Sequence, residues 1–265
     1  MRGLPQARDR WKHGIYYHLA YFSTTTRLTK HVTHIISPAR VEEEFRRIVQ
    51  AGATEYMLVN VSELREYVME ARMLAELCWD AGKAFALSNA AERYTQWWSR
   101  EYFGEAAAND VATSYRGYYR MLSNWDQISV GSNQVLAALT ALENKVQRKP
   151  VTPAAADVMA SLEQRDAAYK AVFQTIASAS ARMTPDQLQY FYENVTFPLL
   201  IDSRQTSAAI KLIGAVAEPD ATGARKLSLS AFDDLKMLEQ AVEWVVFLCG
   251  LRSLRSNVVA RAELT

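Results

Sequence analysis

The order of two apolar runs around one well-capped amphipathic helix constrains this chain more than any other feature. Ile15 to Phe22 is unbroken apolar and aromatic sequence with one histidine inside and Gly14 at its start; Tyr56 to Val61 is a second such run. Runs of this kind read as strands buried on both faces. Between them Ser37-Pro38 opens a helix, with serine at the N-cap and proline at the first helical position; Glu42, Glu43 and Glu44 follow, and Ala51-Gly52 closes it. Val41, Phe45, Ile48 and Val49 fall on one face of that helix. Strand, crossover helix, strand is a βαβ unit, which predicts a parallel pair.

Side chains alternate along a strand, so Tyr16 and His18 share one face of the first, and Tyr17, Leu19 and Tyr21 share the other. A histidine flanked by phenols suits a sugar, which offers hydroxyls to polar tips and a C–H face to rings. The competing reading is a core histidine bonded to a backbone carbonyl. Asn60 falls near the C-terminal end of the second strand. In (β/α) barrels that end of each strand lines the active site, so Asn60 and Ser62-Glu63 would share a mouth with His18 and Tyr21. An asparagine ending a strand also caps turns, and Glu63 also suits a first helical turn.

The remaining sequence is helical. Leu64, Val68, Ala71, Leu74, Ala75 and Cys78 follow helical spacing up to Trp79, and Asp80-Ala81-Gly82 ends that helix. No strand pattern returns, which places a domain boundary near Lys83. Asn89 to Glu92 has capping-box spacing ahead of a helix bearing Tyr94, Trp97, Trp98, Tyr102 and Phe103. Aromatic residues at helical spacing favour core packing over ligand contact. Phe103-Gly104, Lys149 to Pro153 and Thr184-Pro185 divide further helices with short connections, as in an up-and-down bundle. Pro198 predicts a kink. This half contains no nucleophile, base and orienting group at recognisable spacing.

The 265 residues suffice for one large domain or two ordinary ones, and 30 Lys+Arg against 29 Asp+Glu leave no field to attract nucleic acid or an anionic membrane. Cys78 and Cys249 suggest neither a disulfide framework nor a zinc site. His31 and His34 have spacing a metal could use on a helix, but no third ligand accompanies them, so neither a metal nor another cofactor is expected. Residues 1–10 are polar without the apolar core of a signal peptide, and the longest apolar run near the C-terminus is too short to cross a bilayer. The chain therefore reads as soluble, with periplasmic or extracellular export following only if a longer protein carries a signal peptide.

Gly14-Ile15-Tyr16-Tyr17-His18 with Tyr21, Ala51-Gly52-Ala53, Val59-Asn60-Val61 and Leu77-Cys78-Trp79-Asp80 resemble the C-terminal part of glycoside hydrolase family 115, the xylan α-glucuronidases. Tyr102-Phe103-Gly104, Tyr115, and Gln189-Tyr190-Phe191-Tyr192 leading to Phe197-Pro198 resemble that family's helical domain. The resemblance implies the last βαβα portion of a (β/α)₈ barrel over residues 1–82 and a helical bundle over residues 83–265. It implies removal of (4-O-methyl)glucuronic acid from xylan with inversion, and it assigns Tyr17, His18 and Asn60 to the sugar pocket. Tyr21 joins them from the first motif, and Tyr16 and Glu63 are accessory candidates. Inversion needs two carboxyl groups on opposite sides of the sugar, and in the family these lie on earlier strands. Where the family has Gly-Asp and a lysine after Asn-Val, this chain has Ser62-Glu63 and Arg65. The expected partner is a glucuronoxylan-like polysaccharide, without nucleic acid or membrane, and a homodimer is compatible with the sequence. The alternative is a non-catalytic helical interaction or carbohydrate-binding module.

Overall fold

The structure is a computed structural model that describes residues 11–20, 34–61, 64–122 and 130–262, with side chains as far as residue 241. The described residues are mostly helical, with one two-stranded sheet among them. β1 (Ile15–His18), α1 (Pro38–Gln50) and β2 (Met57–Asn60) form the anticipated βαβ unit, with β1 parallel to β2 and His18 in register with Asn60. A 3₁₀ turn (Leu64–Tyr67) leads into α2 (Val68–Trp79), α3 (Ala81–Ala84), α4 (Ala90–Phe103) and α5 (Glu105–Leu122). Then come α6 (Val130–Val146), α7 (Ala156–Ser180), α8 (Pro185–Phe191), a π-helical segment (Tyr192–Thr196), α9 (Phe197–Ala217) and α10 (Ala221–Ala262). The contacts divide the chain into two compact units, one of residues 1–127 with 172–196 and one of residues 128–171 with 197–265.

In the first unit, Ser37 Oγ accepts the Arg40 amide at 3.2 Å to start α1, and Gly52 adopts φ +70° just past its end, a left-handed conformation that glycine takes without a Cβ clash. Val41, Phe45 and Ile48 of α1 pack on Ile15, Tyr17 and Leu19, which gives the sheet its covered face. The other face departs from the expected double burial. Tyr16, Tyr56 and Leu58 are exposed there, because no described element lies over them.

α2 also departs from expectation. The 3₁₀ turn winds with about three residues per turn instead of 3.6, so Met69, Met73 and Leu77 join the expected Leu74 on the inward side, while Leu64, Ala75 and Cys78 face outward. Asn89 is left-handed at φ 62° and makes no side-chain cap. The start of α4 is capped from outside instead, by Glu42 of α1 accepting the Ala91 amide at 2.7 Å. Trp98 and Phe103 are buried, as aromatic core packing requires.

The break expected at Pro198 takes the form of the π-helical turn immediately before it. A proline has no amide to offer the carbonyl four residues back, and its ring crowds that carbonyl, here Asn194 O. Thr184 and Gln187 form a reciprocal capping box at the start of α8.

The second unit has its own core, formed by Val135, Leu162, Ala208, Leu212 and Ile213. Arg165 pairs with buried Asp202 at 2.7 Å, and Tyr169 donates to the same carboxylate. Lys145 Nζ donates to the carbonyls of Ala215 and Val216, placing a cation at the negative end of α9. Among the described residues no helix is long and apolar enough to cross a membrane.

Candidate functional site

His18 and Asn60 end β1 and β2, and the parallel register sets them side by side. Asn60 Nδ2 donates to His18 Nδ1 at 3.2 Å. An amide nitrogen only donates, so Nδ1 is the acceptor and the neutral ring carries its proton on Nε2. The chain then curls around the end of β2, with the amides of Leu19 and Ala20 both donating to Asn60 O, at 3.0 and 3.3 Å. The asparagine is thus held through its backbone and its side chain at once.

Tyr16, two residues before His18, lies on the same face, with ring centroids 4.4 Å apart and planes tilted by 55°. It is 56% exposed. Together the three residues offer a ring surface, an N–H donor and an amide carbonyl acceptor, the chemistry that hydroxylated ligands require. Tyr17 points to the opposite face. It is 8% exposed and sits edge-on to Phe45 at 5.1 Å. Burial, then the nearby Glu44 carboxylate, pushes its phenol up to about 12. Tyr21 and Glu63 lie outside the described residues, as do Ser62 and His31. Asn194 of the Asn-Val-Thr sequon is buried and donates to Tyr190 O, a position that glycosylation cannot reach.

A second polar cluster escapes the sequence because its members are far apart in the chain. His34 is 1% exposed, with Nδ1 facing Glu70 Oε1 at 2.6 Å and Nε2 donating to Asn194 O at 2.6 Å. Tyr119 donates to the same Glu70 oxygen, and Tyr118 stacks on the imidazole at 4.5 Å. Burial alone would lower the pKa of His34. The Glu70 carboxylate and the Asn194 carbonyl outweigh it and hold the ring above the ordinary histidine value. A histidine with a carbonyl on one nitrogen and a carboxylate on the other is an imidazolium, so this is a buried ion pair with a structural role. Asn194 O is also the carbonyl that Pro198 leaves without its α-helical donor. Among the described residues no group of three His, Cys, Asp or Glu side chains could hold a metal ion.

Comparison with known proteins bears on residues 1–127, which match Glycosyl hydrolase family 115. No curated protein matches the sequence. A solved family GH115 4-O-methyl-α-glucuronidase with specificity for decorated arabinogalactans superposes with a TM-score of 0.55 at 13% identity, over 85% of this chain and 28% of that one. At that identity the likeness is one of fold, and this chain spans under a third of that protein. The family resemblance carried by the tyrosine-histidine and asparagine motifs therefore holds over residues 1–127, the part of the chain that matches the glycosyl hydrolase family 115 model.

Proposed function

We propose that this chain supplies part of the sugar-binding wall of a family-115 hydrolase that removes glucuronyl side groups from a plant polysaccharide with inversion. The observation that carries this reading is the hydrogen bond between Asn60 and His18 at the C-terminal ends of two adjacent parallel strands. That is the end where a (β/α) barrel builds its active site, and β1, α1, β2 and α2 have the order of its last strand-helix units. His18 presents its imidazole to the sugar, Asn60 holds the ring in one orientation, and Tyr16 offers its ring to the C–H face of the sugar. Tyr17 supports the strand from the core side, and Tyr21 and Glu63 are proposed as further wall residues. The acid that protonates the leaving oxygen and the base that activates water come from other strands of the barrel. Xylan and arabinogalactan, both decorated with glucuronic acid, are the substrate classes.

Two measurements test this. The 265-residue chain incubated with glucuronoxylan should release no glucuronic acid; release would show that it carries its own acid and base. The His18 ring signals, followed by NMR while 4-O-methylglucuronic acid is added, should shift with a Kd in the millimolar range, and Asn60→Ala should weaken that response about tenfold by freeing the tautomer. Ring signals that stay fixed up to saturating sugar would refute the wall assignment.

A further inference from the structure

A second surface lies at the opposite end of the sheet from His18 and Asn60. α2 runs back from the mouth, and Cys78 Sγ near its end meets Met57 Sδ at the start of β2 at 3.8 Å. There a groove of about 560 Å³ opens between α2, α3 and the first turns of α4. Trp79 lines it and is 90% exposed, the most exposed large apolar side chain among the described residues. Tyr94 and Trp97, one helical turn apart on α4, line the same groove with ring centroids 5.6 Å apart. The Tyr94 hydroxyl is committed to Met69 O at 2.7 Å, and the Arg72 guanidinium stands 5.4 Å from the Trp97 ring centre, so both rings are held in place.

The charged groups lining this groove are balanced, Glu76 and Asp80 against Lys83 and Arg93. Such a lining has no net pull on phosphate or on an acidic chain. It suits hydroxyl groups, which both donate and accept, while an exposed indole suits the C–H face of a pyranose ring. A solvated indole at a helix end is also a poor choice for stability alone, since apolar surface left in water contributes nothing to folding.

We propose that this groove is a second, non-catalytic polysaccharide contact, in which a neutral backbone sugar stacks on Trp79 while Lys83, Arg93, Glu76 and Asp80 exchange hydrogen bonds with its hydroxyls. The proposal rests on the reading that the chain works on a polysaccharide, and it places the second contact away from the mouth, where it anchors the polymer without entering the reaction.

Native electrophoresis of the 265-residue chain through gels containing glucuronoxylan or arabinogalactan tests it. The chain should be retarded by at least one of these polymers. Trp79→Ala should weaken the apparent affinity roughly tenfold, while Trp79→Tyr, which keeps an aromatic face, retains most of it. Trp79 is exposed, so circular dichroism should show both variants folded. Leu136→Ala, at an exposed position of α6 that belongs to neither the groove nor the wall, should leave retardation unchanged. Retardation that is absent in both polymers, or that survives Trp79→Ala, overturns the proposal. So does a dimer of the wild-type chain that Trp79→Ala converts to monomer, because the groove would then be occupied by a second copy. Trp79-dependent retardation combined with unmoved His18 signals would leave the groove standing and remove the wall assignment.

Discussion

His34→Ala removes the centre of the buried cluster, and the structure gives the size of the effect. The imidazolium makes two charge-assisted contacts of 2.6 Å, to Glu70 and to Asn194 O. Without the ring, the Glu70 carboxylate keeps only the Tyr119 hydroxyl, and its second oxygen is already buried without a hydrogen-bond partner. Asn194 O loses its donor, and Pro198 cannot replace it. Removing one member of a buried ion pair costs about 3–5 kcal/mol. For a chain of this size that lowers the melting temperature by roughly 10 °C. The penalty falls on Glu70 as an uncompensated charge, so adding Glu70→Gln to His34→Ala should recover part of it. Urea unfolding followed by circular dichroism gives all three free energies.

The same pair sets a pH dependence. His34 has a raised pKa in the folded chain. Its stabilisation is therefore complete below the unfolded-state value of about 6.5 and is lost as pH rises through the higher folded-state value. Wild-type stability should fall over that interval and the His34→Ala variant should not. A cost below about 1 kcal/mol, or equal pH slopes for both proteins, would refute the assignment of a charged, buried pair.

Glu42→Ala should cost about 1 kcal/mol by uncapping α4, measured by the same urea titration; an unchanged midpoint would mean that Ala91 finds another acceptor. The Glu42 pKa is lowered: burial acts to raise it, and the Ala91 amide and Arg46 outweigh burial. Its contribution is thus present above the unfolded value and disappears as pH falls through the folded one. Gly117→Ala should destabilise by about 1–3 kcal/mol despite the better helix propensity of alanine, because the new Cβ would come within 2.7 Å of Val172 Cγ2. Adding Val172→Ala should relieve most of that loss in thermal unfolding, and a Gly117→Ala variant more stable than wild type would show that the contact gives way freely.

The parts of the fold that were legible in the sequence are those decided locally. Ser37-Pro38 and Gly52 bound α1 because cap chemistry needs only a few neighbouring residues, and the parallel pair followed from a helix between two apolar runs. The phase of α2 was not legible, because helical spacing alone does not register the 3₁₀ turn that rotates Met69 and Met73 inward. Asn89 had the spacing of a cap, yet Glu42, nearly fifty positions earlier, performs the capping. At the candidate site, strand alternation correctly separated the face of Tyr16 and His18 from that of Tyr17. His34 was visible only as one of two histidines near Thr33. Its partners Glu70, Tyr119 and Asn194 lie 36, 85 and 160 positions away, and nothing short of the packed structure brings them together.

The sheet bears on when the His18–Asn60 pair exists at all. Two strands of four residues with one covered face form a small cooperative unit, and such units open at a free energy well below that of global unfolding. Each opening separates the histidine from the asparagine and restores both ring tautomers. A ligand that bridges the two residues binds only the closed form, so it slows the exchange of the β1 and β2 amides with solvent even if no atom of the bound structure moves. Occupancy of the pair and order in the sheet are in this way one equilibrium, and any element laid over Tyr56 and Leu58 would strengthen binding at the pair without touching the ligand.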